Sequence, residues 1–175
     1  MSLPSNHQQI ETVVTYLEMV DSPRKLDDIQ VSKDVSVKKV DAYTVSLCRF
    51  LYDAVGSKWN WTERKLLTNE QLEKIIKNPF LEVYVLYVKN SIAGDVELDF
   101  SIDAKIAYFG ILPEFYGRKL GPYLLNWAVK YSWSKNPKRV WLHTCALDHP
   151  KALQIYLRSG FVQYKKKIEY IAKLP

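Results

Sequence analysis

The 175-residue chain is poor in features that mark several classes of protein. It has two cysteines, Cys48 and Cys145, far apart in the sequence, so a disulfide framework is not expected. No apolar run approaches the roughly 18 residues that a membrane-spanning helix needs. The first residues, MSLPSNHQQIETVV, lack the basic and then apolar pattern of a signal peptide. These absences favour a cytoplasmic protein with no membrane partner.

Internal repeats, low-complexity tracts and Gly/Ser linkers are also missing, which predicts a single domain over residues 1–175. The net charge of +6, from 25 basic and 19 acidic residues, is modest. It permits binding of nucleic acid or of a phosphorylated ligand without favouring either. Because the lysines are scattered and form no continuous basic stripe, we expect no nucleic-acid partner.

Hydrophobic periodicity and helix-capping signals predict strand, two helices, three strands, helix, strand, helix and one or two final strands. The predicted segments are 12–20, 41–56, 68–79, 81–101 (a hairpin), 105–113, about 120–134, 139–145, 149–159 and 161–172. Segment 35–40 is ambiguous, and Asp41 and Thr68 are the expected caps of the first two helices. This order predicts a mixed α/β (α+β) fold, with one sheet covered on both faces.

Two of the chain's six glycines, Gly117 and Gly121, flank Arg118-Lys119 in FYGRKLGPYLLNWAVKY. They lie between a predicted strand and a predicted helix, with Pro122 in the first helical turn. Free N–H groups, the helix macrodipole and two basic side chains together make a suitable anion site. The alternative is an ordinary connection that carries basic surface residues, since short glycine patterns also arise by chance.

A second segment, HPKALQIYLRSGF, places Ala152, Tyr156 and Gly160-Phe161 at fixed intervals after a helix start. Together with ILPEFYGRKLGPYLL upstream, it resembles the two signature motifs of the GNAT superfamily of acetyl-CoA-dependent N-acetyltransferases, in their bacterial form. The resemblance covers Leu81 to Phe161 and includes the strand segments YFGILPEF and HTCALDHP. It implies a GNAT fold, with a mixed, mostly antiparallel central sheet and helices on both faces.

The resemblance implies acetyl-CoA as co-substrate and no metal. The implied cofactor-binding residues are Phe109, Gly110 and Ile111 for the pantetheine arm, Gly117, Arg118, Lys119, Leu120, Gly121 and Tyr123 for the phosphates, and His149. Three positions depart from the family pattern: Tyr116 replaces a leading Gln or Arg, Lys119 replaces the first loop glycine, and His149 replaces an Asn. Lys119 must therefore adopt a conformation that keeps its Cβ clear of the pyrophosphate.

The implied catalytic acid is Tyr156, which would protonate the departing thiolate of CoA; a purely structural role in the core is the alternative. The usual glutamate base is absent, because that position is Lys105. In GDVELDF, Asp95, Glu97 and Asp99 share one face of a predicted strand. A solvated outer face is the expected setting for Asp95. Glu97 is the first candidate for the base and Asp99 the second.

The aromatic segment KWNWTER stands where the resemblance implies the acceptor pocket, with Trp59, Trp61 and Tyr52 as substrate-binding residues. Packing of these rings under the loop is the alternative. The predicted function is transfer of an acetyl group to a primary amine of an unidentified acceptor, either a small molecule or a protein. A non-catalytic CoA-binding or protein-interaction module is the alternative, and a homodimer is left open.

Overall fold

The computed structural model describes residues 8–23 and 26–173. The first seven residues, on which the expectation about a signal peptide partly rests, lie outside this range. The strands are β1 (Gln9–Met19), β2 (Val35–Lys39), β3 (Leu81–Val88), β4 (Ser91–Asp99), β5 (Ala104–Ile111), β6 (Val140–Cys145) and β7 (Val162–Ala172). The α-helices are α1 (Val45–Gly56), α2 (Asn69–Ile76), α3 (Leu120–Ser134) and α4 (Ala152–Arg158).

The seven strands form one sheet in the order β2-β3-β4-β5-β6-β1-β7. Neighbouring strands are antiparallel except β5 and β6, which run parallel. The N-terminal strand β1 lies between β6 and the C-terminal strand β7, so the two ends of the described chain pair side by side. The predicted fold, a mixed and mostly antiparallel sheet with helices, is confirmed.

Helices cover both faces of the sheet around β5. A Cβ added to Gly110 would lie 2.1 Å from Val55 of α1, whereas Ile111 lies 3.8 Å from a Cβ added to Gly121 of α3. Because neighbouring residues of a strand point to opposite faces, α1 and α3 pack on opposite sides. The larger core lies under α3, where Leu124 and Leu125 are fully buried. No helix in the described part of the chain is long and apolar enough to cross a membrane.

The start of α1 differs from the prediction. The helix begins at Val45, and Thr44 caps it by accepting a hydrogen bond from the Leu47 N–H at 3.2 Å, so the expectation that Asp41 caps a helix from residue 41 was wrong.

The cap of α2 is confirmed. Thr68 and Gln71 form a reciprocal capping box, which satisfies two backbone donors that the helix leaves unpaired.

Candidate active site

A wedge-shaped cleft opens between the parallel strands β5 and β6. They pair only at Ala104 with Val140 and Lys105 with Trp141, and then separate. The backbone of β5 beyond Lys105 therefore has no β6 partner. Since Leu112 donates its N–H to the Ala93 oxygen of β4 at 2.8 Å, the alternating geometry of a strand directs the N–H of Ile111 towards the cleft.

A cavity of about 500 Å³ fills this cleft. Most of the predicted site residues line it: Tyr52, Trp59, Trp61, Phe109, Gly110, Ile111, Gly117, Lys119, Leu120, Gly121, His149 and Tyr156. Four predicted residues are not part of its lining: Glu97, Asp99, Arg118 and Tyr123. The tertiary structure thus gathers segments from four separate parts of the chain around one cavity.

The loop before α3 presents bare backbone to the cavity. Gly117 has φ +80°, and a Cβ added there would meet nothing within 4 Å. Lys119, the N-cap of α3, has φ +60°, a left-handed conformation that usually requires glycine. The Tyr123 N–H donates to the Lys119 oxygen at 3.2 Å. Because Pro122 has no N–H, the donors without an intrahelical acceptor are those of Leu120 and Gly121.

Tyr156 of α4 lies at the bottom of the cleft. It is 8% exposed, and its ring packs against Phe109 at 6.2 Å and Phe161 at 6.3 Å between ring centroids. Its hydroxyl has no hydrogen-bond partner among residues 8–23 and 26–173. Burial, and less strongly the charge of Asp148, raises the pKa of this phenol above its usual value, so the group stays protonated.

Two aromatic contacts and one hydrogen bond join segments on opposite sides of the cavity. The Trp59 ring packs edge-on against His149 at 4.9 Å, and His149 in turn contacts Tyr116 at 5.7 Å. The Trp61 indole N–H donates to Asp148 Oδ1 at 3.1 Å. The segment between α1 and α2 is thereby tied to the turn before α4, which lies on the other side of the cleft.

The candidate base Glu97 lies outside the cavity, beneath α1. It is 2% exposed, and both its oxygens bind the Arg64 guanidinium, at 2.5 and 2.6 Å, while Tyr43 donates a further hydrogen bond to Oε1. Asp99 lies at the end of β4, where Oδ1 accepts hydrogen bonds from Ser101 at 2.5 and 2.8 Å. Neither carboxylate faces the cleft.

Asp95 has a different setting from the expected one. It is 5% exposed, so the expectation of a solvated outer face was wrong. The helix α1 covers this part of β4, and Asp95 stands opposite Gly110 in the strand register. Burial, and next the charge of Glu97, raises the pKa of Asp95 to about 8, against the opposing effect of Arg64.

Among the polar groups that line the cavity, the sequence analysis did not single out Glu63, Tyr108 or Asp148. Tyr108 stands opposite Glu97, two residues before Gly110, so strand periodicity placed it on the same face. Glu63 was part of the quoted aromatic segment, but nothing in the pattern distinguished it from its neighbours. No group of three metal-ligating side chains is found in the described ranges, 8–23 and 26–173.

Comparison with known proteins identifies the class. The sequence profile of the acetyltransferase (GNAT) family matches residues 47–161, and the chain therefore belongs to this family. The predicted family resemblance is confirmed, and acetyl transfer is the activity of the family.

Solved structures share the fold at low sequence identity. A functionally unknown conserved protein from Staphylococcus epidermidis is 19% identical, with a TM-score of 0.62 over 94% of this chain and 62% of its own. A GCN5-related N-acetyltransferase from Sphaerobacter thermophilus is 12% identical, with a TM-score of 0.64 over 95% and 54%. An aminoglycoside acetyltransferase from an uncultured soil metagenomic sample is 17% identical, with a TM-score of 0.55 over 75% and 90%. The chain thus spans somewhat over half of the first two proteins.

Proposed function

We propose that this protein transfers the acetyl group of acetyl-CoA to a primary amine by direct attack within a ternary complex. One observation carries the proposal. The unpaired edge of β5, the N-terminus of α3 and the phenol of Tyr156 all line one cavity. A diphosphate-bearing thioester needs an anion site, an extended channel and a proton donor for its leaving group, and this cavity offers all three.

The residues present fit the phosphate end of acetyl-CoA. The N–H groups of Leu120 and Gly121 are free to donate at the N-terminus of a 15-residue helix, where the macrodipole favours an anion. The space around Gly117 is open, which permits close approach to the backbone. Lys119, in a left-handed conformation with φ +60°, adds a full positive charge.

The chemical step needs a donor for the acetyl oxygen and a proton for the sulfur. The Ile111 N–H, directed into the cleft, is the donor we assign to the carbonyl oxygen as negative charge develops on it. One such hydrogen bond typically contributes a few kcal/mol. The amine nitrogen forms the new bond to the carbonyl carbon, the carbon–sulfur bond breaks, and Tyr156 gives its proton to the sulfur. Its raised pKa ensures that the proton is present.

The proton that the amine loses has no assigned acceptor on β4. Glu97 stays a prediction for this role, but its bidentate contact with Arg64 and its position outside the cavity favour a structural role. Asp99 contacts Ser101 and does not line the cavity either. We propose that solvent water at the open, acceptor side of the cavity takes this proton, and that Tyr156 regains a proton from solvent after CoA leaves.

Titration calorimetry with acetyl-CoA, followed by a thiol-release assay over amine classes, tests the proposal. We expect heat of binding and CoA release that depends on an added amine. Absence of binding at millimolar acetyl-CoA would overturn it. The second candidate function, a CoA-binding module without catalysis, predicts binding with no amine-dependent release for any amine in the panel.

A further inference from the structure

The acceptor side of the cavity has an aromatic wall that ends in a carboxylate. The rings of Tyr52, Trp61 and Tyr108 contact one another pairwise, with centroids 5.3 to 5.4 Å apart. Glu63 stands at the edge of this wall, where its Oε2 accepts a hydrogen bond from the Tyr108 hydroxyl at 2.9 Å. All four residues line the cavity.

The hydrogen bond with Tyr108 fixes the position of Glu63 without neutralising its charge. Burial, and next the charge of Glu63, raises the pKa of Tyr108 above its usual value, so the phenol remains a donor. Glu63 Oε1 accepts no hydrogen bond from the described residues. This oxygen is therefore available to a ligand on the exposed side of the wall.

The neighbouring Arg64 does not cancel the charge of Glu63. Its guanidinium turns inward, packs 4.2 Å from the centroid of the Tyr108 ring and forms a bidentate ion pair with Glu97. Two consecutive residues thus point in opposite directions. Arg64 points inward and pairs with the buried carboxylate of Glu97, and Glu63 faces the cavity.

The other charged groups of the lining are two carboxylates and two lysines. Asp148 uses both oxygens, accepting from Trp61, from the Thr144 hydroxyl at 2.6 Å and from the Cys145 N–H at 2.9 Å. Glu169 of β7 accepts one hydrogen bond, from the Tyr16 hydroxyl at 2.9 Å, so it too keeps one oxygen without a donor from the described residues, but it is not part of the aromatic wall. The lysines of the lining, Lys119 and Lys151, belong to the segments that precede α3 and α4.

We propose that Glu63 first binds the acceptor in its ammonium form against the aromatic wall, and that the acceptor is an alkylamine with no carboxylate beside its amine. The ammonium then gives one proton to solvent before its nitrogen attacks the thioester. Resting on the proposed function, this inference adds the class of acceptor and a residue that selects it. A carboxylate gains by contact with a cation, the ring faces that Arg64 does not occupy add cation–π attraction, and both disfavour an anionic group in the same place. Selection thus combines attraction with repulsion.

A matched pair of amines tests the selection. Lysine and 1,5-diaminopentane have the same carbon chain between their amines and differ by one carboxylate. We expect the wild-type protein to show a kcat/KM for 1,5-diaminopentane at least about tenfold above that for lysine. Glu63→Gln keeps an acceptor for Tyr108 but removes the charge, and it should lower kcat/KM for the diamine about tenfold and reduce the preference. Glu73→Gln, an exposed carboxylate of α2 outside the cavity, is the control and should change neither.

Two binding measurements separate this inference from the proposed function. Calorimetry should give the same Kd for acetyl-CoA, within about twofold, in wild type and Glu63→Gln, since Glu63 belongs to the segment between α1 and α2 and not to the loop before α3. Binding of 1,5-diaminopentane itself, with and without CoA, should be seen in wild type and weakened in Glu63→Gln. Diamine binding that persists in the variant, or a wild-type preference for lysine, would overturn the inference. Loss of diamine binding in the variant would support it even if no acetyl transfer occurred.

Discussion

Two regions of the molecule hold acidic side chains in different surroundings, one on strand β4 and one in the segment between α1 and α2. On β4, Asp95 and Glu97 lie beneath α1, closed off from solvent, and Glu97 is held by Arg64 and Tyr43. Across the neighbouring strand, Glu63 and Tyr108 face an open cleft and hold one another by a single hydrogen bond.

The difference shows that strand periodicity does not decide what a carboxylate does. Alternation along β4 predicted three carboxylates on one face, but it could not tell that α1 and Arg64 cover two of them. A buried charge persists only when partners compensate its lost hydration. The β4 cluster meets that condition through Arg64, whereas the cleft leaves groups free for ligands. Four changes test this contrast, and they follow from the largest expected effect to the smallest.

The largest expected effect is the loss of stability when Arg64 is replaced. Arg64→Met leaves the Glu97 charge buried without its partner, and we expect the free energy of unfolding to fall by about 3–5 kcal/mol in urea denaturation. Arg139→Met is the control, because its pairs with Glu18 and Asp103 are partly exposed. It should cost no more than about 1 kcal/mol. Equal losses in both variants would contradict the contrast.

On the cleft side, Tyr156→Phe should affect chemistry and spare binding. The proposed mechanism makes Tyr156 the proton donor, so its replacement should lower kcat about a hundredfold or more and leave the Kd for acetyl-CoA unchanged within about twofold. Tyr87→Phe on β3, outside the cavity, is the matched control and should retain full activity. If Tyr156→Phe turned over as fast as wild type, the phenol would be a core residue only.

The raised pKa of Asp95 predicts a pH dependence of stability. With a native pKa of about 8 and a reference value of about 3.9 in the unfolded chain, the native state holds a proton that the unfolded state has released. Stability therefore falls as pH rises between these values, by up to about 1.4 kcal/mol per unit. Asp95→Asn removes the titrating group, so the free energy of unfolding of this variant should fall less than that of the wild type from about pH 6 to about pH 7.

Urea unfolding at the two pH values measures this effect, with Asp99→Asn as the matched control. Asp99 lies on the same strand but at its more exposed end, so its replacement should preserve the wild-type slope. A wild-type slope in Asp95→Asn would show that other groups set the pH dependence.

The smallest expected effect concerns the left-handed Lys119 in the loop of the cleft. Lys119→Gly and Lys119→Ala both remove the charge, but only glycine adopts this conformation without strain. We expect the glycine variant to be about 1 kcal/mol more stable than the alanine variant in urea denaturation. Both should bind acetyl-CoA more weakly than wild type, by a similar factor. A more stable alanine variant would argue against strain at this position.

Local signals in the sequence were sufficient for most of the fold. The capping box at Thr68 and Gln71, the hairpin turn at Lys89-Asn90 and the apolar stripe of α3 each depend on residues close together in the chain. The start of α1 was missed because two capping residues, Asp41 and Thr44, stand three positions apart. Only the position of the first helical turn decides between them.

The site was predictable where backbone chemistry defines it. Local sequence signals predicted the loop from Gly117 to Gly121 and the start of α3. The resemblance of the second motif to the family pattern predicted Tyr156 as a site residue. The proposed role of Glu63 was not predictable, because its position depends on a hydrogen bond from Tyr108, which is 45 residues away. The same holds for the inward turn of Arg64 towards Glu97, 33 residues away.

The sequence by itself determined the order of helices and strands and the glycine-containing loop before α3, because propensity, capping and turn chemistry act over a few residues. Its two motifs also indicated the family to which the chain belongs. Only the tertiary structure decided which carboxylates are buried and which face the cleft. Burial and charge pairing depend on side chains that meet across strands and helices, and these meetings are fixed by packing and not by the spacing of residues along the chain.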